Sequence, residues 1–135
     1  MSTEFERTDA LYTIVEAVAV AAADTSTVIV ANMPRDGRVV SLQLVPRAAI
    51  TANATNFATV TLQNKGPLGS GSTAMASRTW SATNSVAGTK EAGTLNGTPA
   101  NLEFKQGDQL IYVHSSAAAG LALPATAVVV GWLPR

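Results

Sequence analysis

The chain has 135 residues, with nine basic and nine acidic side chains, one histidine and no cysteine, and only 13% of its residues are charged. That length predicts a single domain, and the missing cysteines exclude a disulfide scaffold, a thiolate metal site and a cysteine nucleophile. Zero net charge and scattered basic residues argue against nucleic-acid binding. Average domains carry about 25% charged residues, so this surface is either wetted by uncharged polar side chains or covered by partner subunits.

The first predicted elements are two short strands. Residues 12–20 alternate between two faces with period 2, which is typical of a strand, although the alanines at 17, 19 and 21–23 would also tolerate a helix. A turn at 24–26 is followed by the β-branched run 27–31, which predicts the second strand. The most apolar stretch, 15–23, contains Glu16 and is too short to span a membrane. The polar, acidic N-terminus lacks the basic region of a signal peptide, so we expect no export by that route.

Two clear strands follow in the middle of the chain. Pro34 and the Asp36-Gly37 pair mark a turn, after which residues 38–45 alternate. We expect Val40, Leu42 and Leu44 on the inner face of that strand, and Ser41 and Gln43 on its outer face. The next strand, 57–64, has Ala58, Val60 and Leu62 facing in and Thr59, Thr61 and Gln63 facing out.

The C-terminal half begins with a loop at 65–72, a weaker strand at 73–80 and a long connection at 82–101 that holds one short strand near 93–95. Residues 102–104, a turn at 105–108 and residues 109–115 predict a strand, a tight turn and a second strand. A closing strand spans 125–133.

These patterns predict an all-β sandwich or jelly roll of about eight strands. The long connections at 46–56 and 82–101 indicate Greek-key crossovers between the two sheets. Residues 1–10 carry four of the eighteen charges and form a separate N-terminal arm, which leaves 11–135 as the β-sandwich domain.

No catalytic or cofactor motif is present in the sequence. The one histidine, His114, has neighbouring serines at 115 and 116, but adjacent residues on a strand point to opposite faces, so we interpret it as structural or solvent-facing. The glycine-rich loop 66–71 lacks the lysine and the following helix of a phosphate-binding loop. The acidic residues stand singly, without the spacing of a calcium loop. We therefore predict that the protein is not an enzyme and binds no cofactor or metal.

The two tryptophans are the remaining candidates for ligand binding. Trp132 lies in an apolar run, which favours a core or interface position. Trp80 borders a polar loop and has two possible roles: packing in the core or at an interface, or stacking on a sugar. The second role defines an alternative function, a carbohydrate-binding module.

The pattern of strands and turns resembles a known group of virion proteins. Residues 55–71, the Gly107-Asp108 turn before an apolar strand, and the Gly-x-x-x-Pro loop at 120–124 before the last strand are similar to the decoration, or cement, proteins of tailed bacteriophages. These motifs are strand and turn signals that extend over residues 10–133. The family offers no active-site residues for comparison. For a phage protein, the carbohydrate-binding alternative would be a module of the tail or of a fibre.

The resemblance implies a head decoration protein that forms a homotrimer and binds the major capsid protein. It would be made in the host cytoplasm and lie on the outer surface of the capsid, which it stabilises, with no contact to nucleic acid or membrane. By analogy, the arm and the loops at 64–72 and 82–101 would contact the capsid or neighbouring subunits. The candidate contact residues are Glu4, Phe5, Glu6, Arg7, Asp9, Lys65, Pro67, Leu68, Trp80, Lys90 and Glu91.

Overall fold

The computed structural model describes residues 10–135. The predicted arm, with its candidate contacts Glu4, Phe5, Glu6, Arg7 and Asp9, lies outside the described residues except for Ala10. The described residues form ten strands and a 3₁₀ turn at Pro99–Leu102. The strands are β1 Leu11–Ala17, β2 Ser26–Asn32, β3 Gly37–Pro46, β4 Ala58–Asn64, β5 Thr73–Thr79, β6 Glu91–Ala92, β7 Thr94–Leu95, β8 Glu103–Phe104, β9 Gln109–Ser116 and β10 Thr126–Pro134.

The strands form two antiparallel sheets, which confirms the predicted all-β sandwich. Sheet 1 has the order β1-β10-β3, with β6 and β8 both pairing with the far edge of β3. Sheet 2 has the order β2-β9-β4-β5-β7. β6 and β8 can be counted together as a sixth strand, and β7 as an extension of the edge beside β5. With β9 and β10 then renumbered as strands 7 and 8, the order is 1-8-3-6 in sheet 1 and 2-7-4-5 in sheet 2. This is the arrangement of a jelly roll built from two Greek keys.

The long connections do cross between the sheets as predicted. Residues 47–57 carry the chain from β3 in sheet 1 to β4 in sheet 2, and residues 80–90 return it from β5 to β6. The second connection changes sheet again at Gly93, between β6 and β7. A Cβ atom on Gly93 would lie 2.8 Å from Cδ2 of Leu42, so a larger residue here would have to displace the buried Leu42 side chain. The single short strand expected near 93–95 is therefore two strands in different sheets.

Alternation on β4 follows the prediction, because Ala58, Val60 and Leu62 are all fully buried.

On β3 the prediction is partly wrong. Leu42 and Leu44 are buried as expected, but Val39 takes the inner position and Val40 is only half-buried. The cause is a β-bulge: Ser41 pairs with Gly131 and Val39 with Trp132, which leaves Val40 as the extra residue. An extra residue reverses the alternation on one side of the bulge.

The two strands and the turn predicted at 102–115 are present, and the structure shows that the strands belong to different sheets. β8 pairs with β3 in sheet 1, whereas β9 lies between β2 and β4 in sheet 2. The turn at 105–108 therefore joins the two sheets and is not a hairpin. Its backbone bonds to another turn, since Met33 N donates to Asp108 O at 2.8 Å and Gly107 N donates to Met33 O at 2.8 Å.

The alanine-rich segment ends the first strand early. The strand predicted for 12–20 stops at Ala17, and Val20 forms only an isolated bridge with Leu123. Among residues 10–135 no helix is long and apolar enough to cross a membrane. One apolar cluster fills the space between the sheets, and in it Phe104 meets Trp132 edge-on with ring centroids 5.6 Å apart.

Candidate interaction surface

The loops gather at two ends of the sandwich. One end holds the start of β1, the C-terminal Arg135 and the loops 33–36, 65–72 and 105–108; we call it the N-terminal end. Pairing of Leu11 with Trp132 and of Asn64 with Leu110 places these segments together. The loops 18–25, 47–57, 80–90 and 117–125 lie at the opposite end.

The loop 65–72 has a fixed base and an exposed tip. At its base, Lys65 N donates to Gln109 O at 2.8 Å and Gln109 N donates to Gly66 O at 3.1 Å. At its tip, Leu68 is 90% exposed, and Pro67 beside it is exposed as well. The loop therefore presents an apolar side chain to solvent from an anchored base.

Two polar groups hold the neighbouring turn in place. Asp108 is buried, and its Oδ2 accepts hydrogen bonds from Asn64 Nδ2 at 3.0 Å and from Lys105 N at 2.9 Å. Asp36 Oδ1 accepts a hydrogen bond from Gln106 N at 2.8 Å. Side chains thus connect the three loops of the N-terminal end into one rigid surface.

The candidate contacts in the second predicted loop lie elsewhere. Lys90 and Glu91 lie where the loop 80–90, at the opposite end of the sandwich, leads into β6. They are therefore far from Lys65, Pro67 and Leu68. Lys90 is exposed, but Glu91 is half-buried and bonded within the chain. The structure therefore does not bring the two sets of candidates together.

Trp80 was one of the candidate contact residues, but the structure places it in the core, which is the first of its two predicted roles. Its side chain is fully buried within the domain. The indole Nε1 donates to Ser85 Oγ at 2.7 Å, and the Arg78 guanidinium lies 4.7 Å from the ring centroid. The carbohydrate-binding alternative thereby loses the aromatic platform on which it was based.

The polar atoms around Trp80 form a small internal network. Arg78 Nε donates to Glu91 Oε1 at 2.9 Å, and Ser85 Oγ donates to Glu91 Oε2 at 2.7 Å. Burial, assisted by the nearby charge of Glu91, raises the pKa of the Tyr112 hydroxyl above its usual value. The side chains satisfy one another, so this network is a structural element of the sandwich interior.

His114 is also internal. It is 1% exposed on β9, between partners Ser26 and Val60, and within the described residues neither ring nitrogen has a hydrogen-bond partner. Burial lowers the pKa of the imidazole. The backbone of Leu121 and Asp24 and the charge of Asp24 act to raise this pKa, but they offset the effect of burial only in part. The side chain is thus held neutral, as expected of a structural histidine.

The most distinctive surface, on the outer face of β1, was not predicted. Two large apolar side chains of β1 are exposed on this face, Tyr12 at 61% and Ile14 at 67%, and Val18, just beyond the end of the strand, is 68% exposed; we call these three residues the β1 patch. The alternation at residues 12–20 was visible in the sequence. It did not show which face the core covers, because both faces of this segment carry apolar residues.

Neighbouring strands extend this surface. Tyr12, Ile14 and Glu16 lie opposite Gly131, Val129 and Ala127 of β10, which in turn lie opposite Ser41, Gln43 and Val45 of β3. Residues paired across strands share a face of the sheet, so the outer face of sheet 1 is mainly apolar beside β1. The outer face of sheet 2 instead presents the paired hydroxyls of Thr59 and Thr79, 3.0 Å apart.

A small, shallow depression of about 110 Å³ lies between β5 and β7, lined by Ala74, Ala76, Ser77, Thr94, Leu95 and Asn96. Small-molecule pockets usually measure about 300–1,000 Å³. Within residues 10–135 no three acidic or histidine side chains form a group that could hold a metal ion.

Comparison with known proteins gives little similarity. No family model matches the chain, and no curated protein matches it. One solved structure, titled "Structure of infectious bursal disease virus Gx strain", is similar with a TM-score of 0.36 and 15% sequence identity. The match covers 90% of this chain and 32% of that chain, so this chain spans about a third of its length.

Proposed function

We propose that this chain is a non-enzymatic structural protein of a virion, a decoration protein that oligomerises as a trimer and reinforces the capsid from outside. Cementing a shell requires rigid surfaces of adequate area rather than chemistry. The observation that carries the proposal is the exposed apolar surface of the jelly roll: the β1 patch on one side and Leu68 at one end. Contiguous exposed apolar patches of a few hundred Å² often mark interaction sites on proteins.

The fold and the low charge support the same role. Jelly rolls are common in viral capsid proteins, although they also occur in lectins and enzymes. Only 13% of the residues are charged, so copies crowded on a shell repel one another weakly. A protein that binds only the assembled shell stabilises it by mass action.

The proposal assigns the shell contact to the N-terminal end. Leu68 is the most exposed large apolar residue there, and its loop is anchored by Lys65 and Gly66. Leu11, the first residue of β1, lies at the same end, and the N-terminal arm precedes it in the sequence. Lys90 at the other end then faces away from the shell.

Co-sedimentation with expanded capsid shells that lack the protein tests this assignment. We expect the wild-type chain to pellet with the shells and to raise the temperature at which they disrupt. Leu68→Glu should weaken binding about tenfold or more, whereas Val86→Glu should not. Val86 is a matched control because it is 65% exposed but lies at the opposite end. Absence of wild-type binding at micromolar concentration would overturn the proposal.

A further inference from the structure

The β1 patch needs a partner, and three observations identify its nature. The first is its size. The three side chains of the patch are 61–68% exposed, which leaves on the order of 350 Å² of apolar surface, within the roughly 300–600 Å² of the largest patch on a typical monomer, a patch that is often functional. A standard interface takes about 800 Å² from each partner, about 57% of it non-polar. The patch therefore supplies most of the apolar part of one protein–protein interface.

The second observation is the charge of this side of the molecule. Glu16 is the one charged residue of β1, and its Oε1 lies 2.6 Å from Arg47 Nη2 in the same chain. The ion pair also lowers the pKa of the Glu16 carboxyl, so the charges stay balanced at neutral pH. Two copies of a neutral apolar patch can meet without repulsion, whereas a strongly charged partner finds nothing complementary there.

The third observation is the edge of the sheet. β1 pairs with β10 on one side, and among residues 10–135 no strand pairs with its other side. Proteins usually protect such an edge with charges, proline or a bulge, because open edges recruit other chains. The residues of β1 are Leu-Tyr-Thr-Ile-Val-Glu-Ala, paired in unbroken register over their whole length. This edge lacks proline and a bulge and carries a single, neutralised charge.

We infer that the β1 patch is the contact between copies of this chain, where Tyr12 and Ile14 of the three copies are buried together around the threefold axis of the trimer. The inference rests on the proposed function and deepens it by naming the surface that forms the oligomer. The patch lies along the side of the sandwich, so this contact leaves the N-terminal end available for the shell.

Light scattering coupled to size-exclusion chromatography tests the inference. We expect the wild-type chain to elute as a trimer at micromolar concentration and Ile14→Glu as a monomer. Ile14 is 67% exposed, so the far-ultraviolet circular dichroism of the variant should stay unchanged. Leu68→Glu is the matched control: it makes the same kind of change on an exposed residue away from β1 and should remain a trimer.

The possible results separate this inference from the proposed function. A wild-type monomer that binds shells would overturn this inference and the trimer of the proposed function, but it would leave the shell-binding role standing. A trimer that dissociates with Ile14→Glu but binds no shell would support the inference and overturn the proposed binding to the capsid. An Ile14→Glu variant that assembles like wild type would overturn the inference. So would a wild-type monomer that assembles once residues 1–9 are deleted, because the chain's own N-terminal segment would then be the occupant of the patch.

Discussion

The ring of Tyr12 lies against Gly131, its partner across strands β1 and β10. A methyl group on Gly131 would lie 3.1 Å from Cε1 of Tyr12 and would collide with Oγ of Ser41. An aromatic ring that covers a glycine on the neighbouring strand shields the backbone and fixes the register. A methyl group on Gly131 would therefore force the side chains of Ser41 and Tyr12 to move.

Replacing this glycine should destabilise the fold. We expect Gly131→Ala to lower the free energy of unfolding by about 1–3 kcal/mol, as is usual for overpacking, measured by urea denaturation. Gly97→Ala is the control, since an added methyl there meets no atom within 4 Å. Gly97→Ala should not lower the free energy of unfolding and can raise it by up to about 1 kcal/mol. Equal losses in the two variants would contradict the packing at Gly131.

The network beneath Trp80 leads to a second prediction. Glu91→Ala removes the partner of both Arg78 and Ser85, whose groups are largely buried. Leaving a buried charge unpaired costs about 3 kcal/mol, and we expect a loss of that order in the same denaturation assay. Lys90→Ala, next to it but exposed, should stay within about 0.5 kcal/mol of wild type.

A double-mutant cycle identifies the cause of that loss. In an Arg78→Met background the charge left unpaired by Glu91→Ala is absent, so the effect of Glu91→Ala should shrink by more than half. An unchanged effect would show that the ion pair at 2.9 Å does not contribute.

The buried histidine predicts how stability depends on pH. Burial lowers the pKa of His114 below its usual 6.5, so the folded chain binds fewer protons than the unfolded chain when the pH falls past that value. Stability from this group is complete above about pH 6.5 and is lost progressively below it. The melting temperature should therefore fall from pH 7 to pH 5.5, and His114→Gln should flatten this slope. Equal slopes in wild type and variant would contradict the assignment.

The N-terminal arm gives a prediction that does not depend on its structure. Deleting residues 1–10 should weaken binding to capsid shells while the circular dichroism of the β-sandwich stays intact. The arm precedes Leu11 at the end assigned to the shell. Shell binding equal to that of the full chain would remove the arm from the contact.

The fold class followed from local patterns, whereas its exceptions depend on distant contacts. Period-2 alternation located β4 and its buried residues, because each strand has one face to the core. The bulge at Val40 was not predictable, since it depends on Gly131 some ninety residues away. The partner of β8 likewise depends on sheet pairing and not on the turn beside it.

Surface exposure was the least predictable property of the candidate site. Leu68 was correctly placed in a loop, but Trp80, at the border of a polar segment, is buried by the connection 82–90 that folds back over it through Ser85. The β1 patch was missed because the sequence marks an apolar strand without showing whether a second layer covers it.

A density map of the purified particle by electron microscopy tests the central claim most directly. The account predicts copies of this jelly roll on the outer surface of the capsid, grouped around threefold positions. The loop 65–72 should face the shell, and the β1 strands should face one another. A map in which the capsid surface lacks this fold, or in which the protein occupies the tail, would contradict the account.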